Sequence, residues 1–185
     1  MNSRESEIEG SVKMLELGAA PSWIKKEYVI GTDKFWLHDT CYEYAVLDTS
    51  KIPKDEIKLP EVFVLRTESY LAVSDTYPEA YRRLGIVHEV KEYFQKEPNK
   101  NSCVEAVGYE LDQATFFEIR AKEMPEYLKF RLDFFDKLIK FYEAEKNPDY
   151  EEILTRLRHS RSYLEECVKA NPASADSRPT GQHLS

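Results

Sequence analysis

The most constraining feature of this chain is a single change of texture near Asp75-Thr76. Before it, aromatic and β-branched residues come in short runs: Glu27-Tyr-Val-Ile30, Lys34-Phe-Trp-Leu-His38, Tyr42-Glu-Tyr-Ala-Val-Leu47, Glu61-Val-Phe-Val-Leu-Arg66 and Tyr70-Leu-Ala-Val-Ser74. Such runs read as strands, and Gly31-Thr-Asp33 between the first two reads as a hairpin turn. After it, apolar residues fall at helical spacing and predict helices near 78–96, 102–115, 123–145 and 149–169. Strands gathered before helices predict an α+β fold, with a small N-terminal mixed or antiparallel sheet and four main helices.

Finer signals fill in the pattern. Residues 4–17, with Ile8, Val12 and Leu15 at helical spacing, predict a short helix closed by Gly18-Ala-Ala-Pro21. The charged segment from Asp48 to Pro60 holds two prolines and reads as a loop. In the third main helix, Leu128, Leu132, Phe135, Leu138, Ile139 and Tyr142 form a wide apolar stripe, and Asn147-Pro148-Asp149 stops it and starts the next helix. At 185 residues the chain suits one domain, placed at 1–171. The tail 172–185 is rich in Ser, Pro, Ala and Gly, has little to bury, and is expected to be disordered.

Charge and cysteine usage exclude several classes. A formal charge of −8 argues against general nucleic-acid binding and against anionic membranes. Arg156, Arg158 and Arg161 form a basic cluster, but Glu151, Glu152, Glu165 and Glu166 flank it, as on a solvated helix face. No apolar run reaches the length of about 18 residues that a spanning helix needs, and the N-terminus carries no secretory pattern. Cys41, Cys103 and Cys167 are odd in number and far apart, so reduced buried thiols and a cytoplasmic location are expected.

One constellation carries chemistry. On a wheel of 100° per residue, Ile86, Val90 and Phe94 form one stripe of the helix Pro78 to Phe94. His88 and Glu92, four residues apart, share nearly the opposite side with Gly85 and Tyr81, and Glu89 lies next to them. Two donors at this spacing on one helix face can grip a single metal ion. In the next helix, Cys103, Ala106, Val107, Ala114 and Phe117 cluster on one side with Glu110 in their midst, while Glu105 points to the polar side. A carboxylate among apolar neighbours must be paired or coordinated.

The run Tyr70-Leu-Ala-Val-Ser-Asp-Thr followed by Pro78 through His88-Glu89-Val-Lys-Glu92-Tyr-Phe resembles the strand–helix core of a zincin-type metallopeptidase. In that family an edge strand precedes a helix carrying His-Glu-x-x-His, and a following helix adds a third zinc ligand. The resemblance implies His88 as first ligand, Glu89 as the catalytic base, Glu92 in place of the second histidine, and Glu110 as third ligand with Glu105 in reserve. Tyr109 or Tyr81 would face the oxyanion. A carboxylate-rich set of this kind suits zinc, and manganese or iron as well.

Two functions follow as expectations. The first is a metal-dependent hydrolase or peptidase with an atypical His-Glu-x-x-Glu site. The second is a non-catalytic interaction or regulatory domain that keeps the fold without metal or activity and docks onto a peptide or protein partner. The structural alternatives are a packed, hydrogen-bonded His88, an exposed Glu92, and a buried salt bridge from Glu110 to Arg82, Arg83 or Arg131. A Cys41–His38 nucleophile pair is weaker, since three residues apart on strand and turn they serve packing. Phe116-Phe117 and Phe134-Phe135 read as core.

Overall fold

The computed structural model describes residues 13–93, 101–117 and 119–170. The chain is α+β, with a five-stranded mixed sheet followed by four α-helices. The expected helical residues 4–12 and 94–96 and the expected disordered tail at 172–185 lie outside the described residues. Contacts divide the chain into two compact units, one of residues up to Leu59 with Phe63–Ile86, the other of Pro60–Val62 with Val87 onward.

The first unit is built on the hairpin of β2 (Val29–Leu37) and β3 (Thr40–Leu47). Residues Gly31 to Asp33 are not a turn: β2 runs straight through them, paired with Val46, Ala45 and Tyr44. The reversal comes at His38-Asp39, where His38 adopts a φ of 56°, the left-handed backbone that tight two-residue hairpins require. Glycine at 31 reads as a turn signal, yet it marks the register shift between Val29 and Gly31 instead.

Along its other side β3 meets two parallel strands in succession. β1 (Lys13–Leu15) pairs with Thr40, Cys41 and Tyr42, so this end of the expected N-terminal helix is a strand. β5 (Leu71–Ser74) pairs with Ala45, Val46 and Leu47. β4 (Val64–Arg66), shorter than the expected 61–66, runs antiparallel to β5. β5 therefore lies between β3 and β4, and the strand preceding the His88 helix is not the edge strand that the zincin-type comparison expects. Ile24, Tyr28, Ala45, Leu47, Ile52, Phe63, Tyr70 and Ala72 form the core of this unit. The segment after β3 is a loop as expected, except for a 3-10 turn at Thr49–Lys51 whose N-cap Asp48 accepts from the Ser50 amide.

A 3-10 turn at Glu79–Tyr81 leads into α1 (Arg82–Tyr93), which begins in the first unit and continues in the second. Residues 84–88 are all buried, so α1 presents no solvent face there. The second unit holds the rest of α1 with α2 (Ser102–Gln113), α3 (Met124–Glu145) and α4 (Glu151–Ala170). α3 ends at Lys146 in the left-handed region, and the Asn147 side chain accepts from the Asp149 amide, the stop-and-cap arrangement expected there. α3 and α4 are linked by Arg161 to Asp136 at 2.5 Å and Arg158 to Glu143 at 2.8 Å. The basic cluster of α4 is thus neutralised by acidic partners. Phe134 and Phe135 are core as expected, but Phe116 is 63% exposed. Among the described residues no helix is long and apolar enough to cross a membrane.

Candidate metal centre

The chemistry-bearing residues of the second unit converge on His88. The residue is 4% exposed, and its two ring nitrogens face different surroundings. Nδ1 lies 3.0 Å from Glu110 Oε2. Nε2 lies 3.5 Å from Cys103 Sγ and 3.5 Å from Glu92 Oε2. Two residues of α1 thereby meet the second residue of α2, where the helix dipole favours negative charge.

Glu110 is fully buried, yet it is not on the same side of the imidazole as Glu92. Its carboxylate is occupied: the Tyr127 hydroxyl donates to Oε1, Arg131 Nε stands 2.7 Å from Oε1, and Arg131 Nη2 donates to Oε2 at 2.8 Å. Of the three arginines weighed for it, Arg131 is the partner. Arg83 binds Asp33 in the first unit, and Arg82 donates to the carbonyls of Tyr77 and Asp75. Arg131 is itself 1% exposed, with its guanidinium 4.8 Å and 5.0 Å from the ring centres of Phe134 and Phe135. Aromatic faces and a carboxylate replace the water this cation has lost.

Electrostatics follow the geometry. Burial would raise the Glu110 carboxyl, but Arg131, His88 and Tyr127 reverse that and hold it below its ordinary value. Burial would strip the His88 proton, but Cys103, Glu110 and Glu92 outweigh it and raise this imidazole well above the ordinary histidine value. Glu92 is half-buried, with Oε1 taking a hydrogen bond from Arg156 Nη1 at 3.1 Å and Oε2 turned to His88.

His88 and Glu92 are thus brought together as the wheel predicts, and the third member on the Nε2 side is Cys103, with all three donor atoms within 4.8 Å of one another. Glu110 contacts the opposite ring nitrogen. Glu89 stands outside the group, partly buried, with its charge acting on Tyr142 of α3. Glu105 is exposed, Tyr109 carries the Lys91 ammonium 5.1 Å over its ring, and Tyr81 belongs to the first unit. The signal for Cys103 was present in the sequence: it sits seven residues before Glu110 on the same stripe, two helical turns away.

Such a set can act in two ways. It can hold a divalent ion between Nε2, Sγ and Oε2, or it can pass a proton along a thiol–imidazole–carboxylate chain. Comparison with protein-family models, with curated proteins and with solved structures finds no match. The likeness to zincin-type metallopeptidases therefore stands on the sequence run Tyr70–Thr76 and Pro78–Phe94 alone.

Proposed function

We propose that this chain binds a divalent metal ion, zinc by preference, between His88 Nε2, Cys103 Sγ and Glu92 Oε2. The observation that carries this reading is the spacing of the donors. Zinc bonds of about 2.0–2.1 Å to nitrogen and oxygen and about 2.3 Å to sulfur, at tetrahedral angles, separate neighbouring donors by about 3.3–3.6 Å. Nε2 stands 3.5 Å from both Sγ and Oε2. A thiolate donor favours zinc over magnesium or manganese, which prefer oxygen alone.

The ion would tie α1 to α2 and leave one tetrahedral vertex open. Glu89, the base of a zincin-type hydrolase, is not grouped with these donors, so the geometry supports metal binding more directly than water activation. The metal content of the untagged chain offered zinc, manganese and iron tests this. We expect near-stoichiometric zinc in the parent and background zinc in folded His88→Ala and Cys103→Ser variants. Background metal in the parent overturns the proposal.

The line Cys103, His88, Glu110 favours a second reading, a nucleophilic thiol with its base and orienting carboxylate. Cys103 is only 4% exposed, which suits a ligand better than an attacking group. Rapid alkylation of Cys103 in metal-free protein, together with background metal in the parent, would favour the nucleophile.

A further inference from the structure

We infer that Glu110, Arg131 and Tyr127 are positioning residues for the metal centre, fixing the tautomer of His88 so that Nε2 alone presents a lone pair to the ion. The inference rests on the metal reading and adds a role to groups that touch no ion. If His88 Nδ1 carried no proton, its lone pair would face a carboxylate lone pair at 3.0 Å, a repulsive contact between two buried groups. Arg131 Nη2 also approaches Nδ1, at 3.4 Å, but the shorter contact to an ionised oxygen decides the proton's place. Nδ1–H therefore donates to Glu110 Oε2, and the ring is oriented with Nε2 towards Cys103 and Glu92.

The carboxylate can do this only because it cannot turn away. Both its oxygens are engaged, by the Tyr127 hydroxyl and by Arg131 Nε and Nη2. α3 supplies both groups, at positions 127 and 131, one helical turn apart on the same face. Three helices thus contribute to one imidazole: α1 carries it, α2 orients it through Glu110, and α3 locks Glu110. A carboxylate behind a ligating histidine fixes the ring and raises its basicity, and its loss typically weakens metal binding about 10–100-fold.

Glu110→Gln alone leaves Arg131 buried without a counter-charge and can unfold the helices. The informative variants are therefore Tyr127→Phe and the double variant Glu110→Gln with Arg131→Met, which removes both charges at similar volume. Zinc affinity is read by chelator competition, and the His88 tautomer by long-range proton–nitrogen correlation NMR, with folding checked by circular dichroism. We expect zinc on Nε2 and the proton on Nδ1 in the parent, and zinc affinity down about 10–100-fold in the folded double variant. Tyr127→Phe should show a smaller loss in the same direction. Zinc on Nδ1, or undiminished affinity in the folded double variant, overturns this inference while leaving the metal site standing. Absence of zinc binding by the parent overturns both.

Discussion

Asp33 and Glu110 are both held ionised by neighbours against the effect of burial, and they differ in how far water assists. Asp33 is partly exposed: Tyr44 donates to it at 2.9 Å, the Lys34 amide at 2.8 Å, and Arg83 at 3.1 Å. Burial alone would raise its carboxyl, but these donors together hold it below the ordinary aspartate value. A lowered folded-state value means stabilisation that is complete above the unfolded value of about 3.9 and fades as pH falls through the folded one. With 41% of its side chain exposed, the Asp33–Arg83 pair is discounted to the surface range, about 0.2–1 kcal/mol. Asp33→Asn should lower the urea midpoint at pH 7, and the gap to the parent should narrow steadily below about pH 4. A gap that is constant from pH 7 to pH 2 would show that the charge of Asp33 is irrelevant.

The elements divide by how they announce themselves. Pro78 and Asn147-Pro148 are local signals, and the helices around them begin and end within a few residues of the expected positions. β1 is the opposite case: three residues made into a strand by pairing with Thr40 to Tyr42, a contact no local pattern encodes. The wheel of α1 paired His88 with Glu92 correctly but could not show that their side of the helix is also interior. Glu110 was legible as a buried charge with Arg131 among its three candidate partners, whereas its contact with Tyr127, also far along the chain on α3, was not. Gly85 is a further tertiary feature. Alanine is favoured over glycine within a helix by about 1 kcal/mol, yet a Cβ at 85 would lie 2.8 Å from the Tyr77 hydroxyl, 2.9 Å from its ring carbon and 3.0 Å from Val64 Cγ2. Tyr77 is fully buried. Overpacking of this kind costs about 1–3 kcal/mol, so Gly85→Ala should lower the thermal midpoint, and a variant as stable as the parent would show that Tyr77 yields freely.

Across the whole molecule, all three proposed ligands and all three positioning residues lie in the second compact unit, from Val87 onward. The sheet contributes none of them. An ion bound by the folded state alone stabilises that state against unfolding, by about 2.7 kcal/mol when free zinc is a hundred times its dissociation constant. If the two units open separately, that gain belongs to the helices. Amide exchange measured with and without zinc resolves this segment by segment. Zinc should slow exchange up to about 100-fold in α1 beyond Val87, in α2 and in α3, while amides of β2, β3 and β5 keep their rates. Equal slowing of sheet and helices would mean that the chain opens as one cooperative body despite its two contact units. Unchanged exchange in α1 and α2 with zinc bound would mean that the ion sits elsewhere, because an ion held jointly by His88 and Cys103 lowers the population of states in which those two helices have separated.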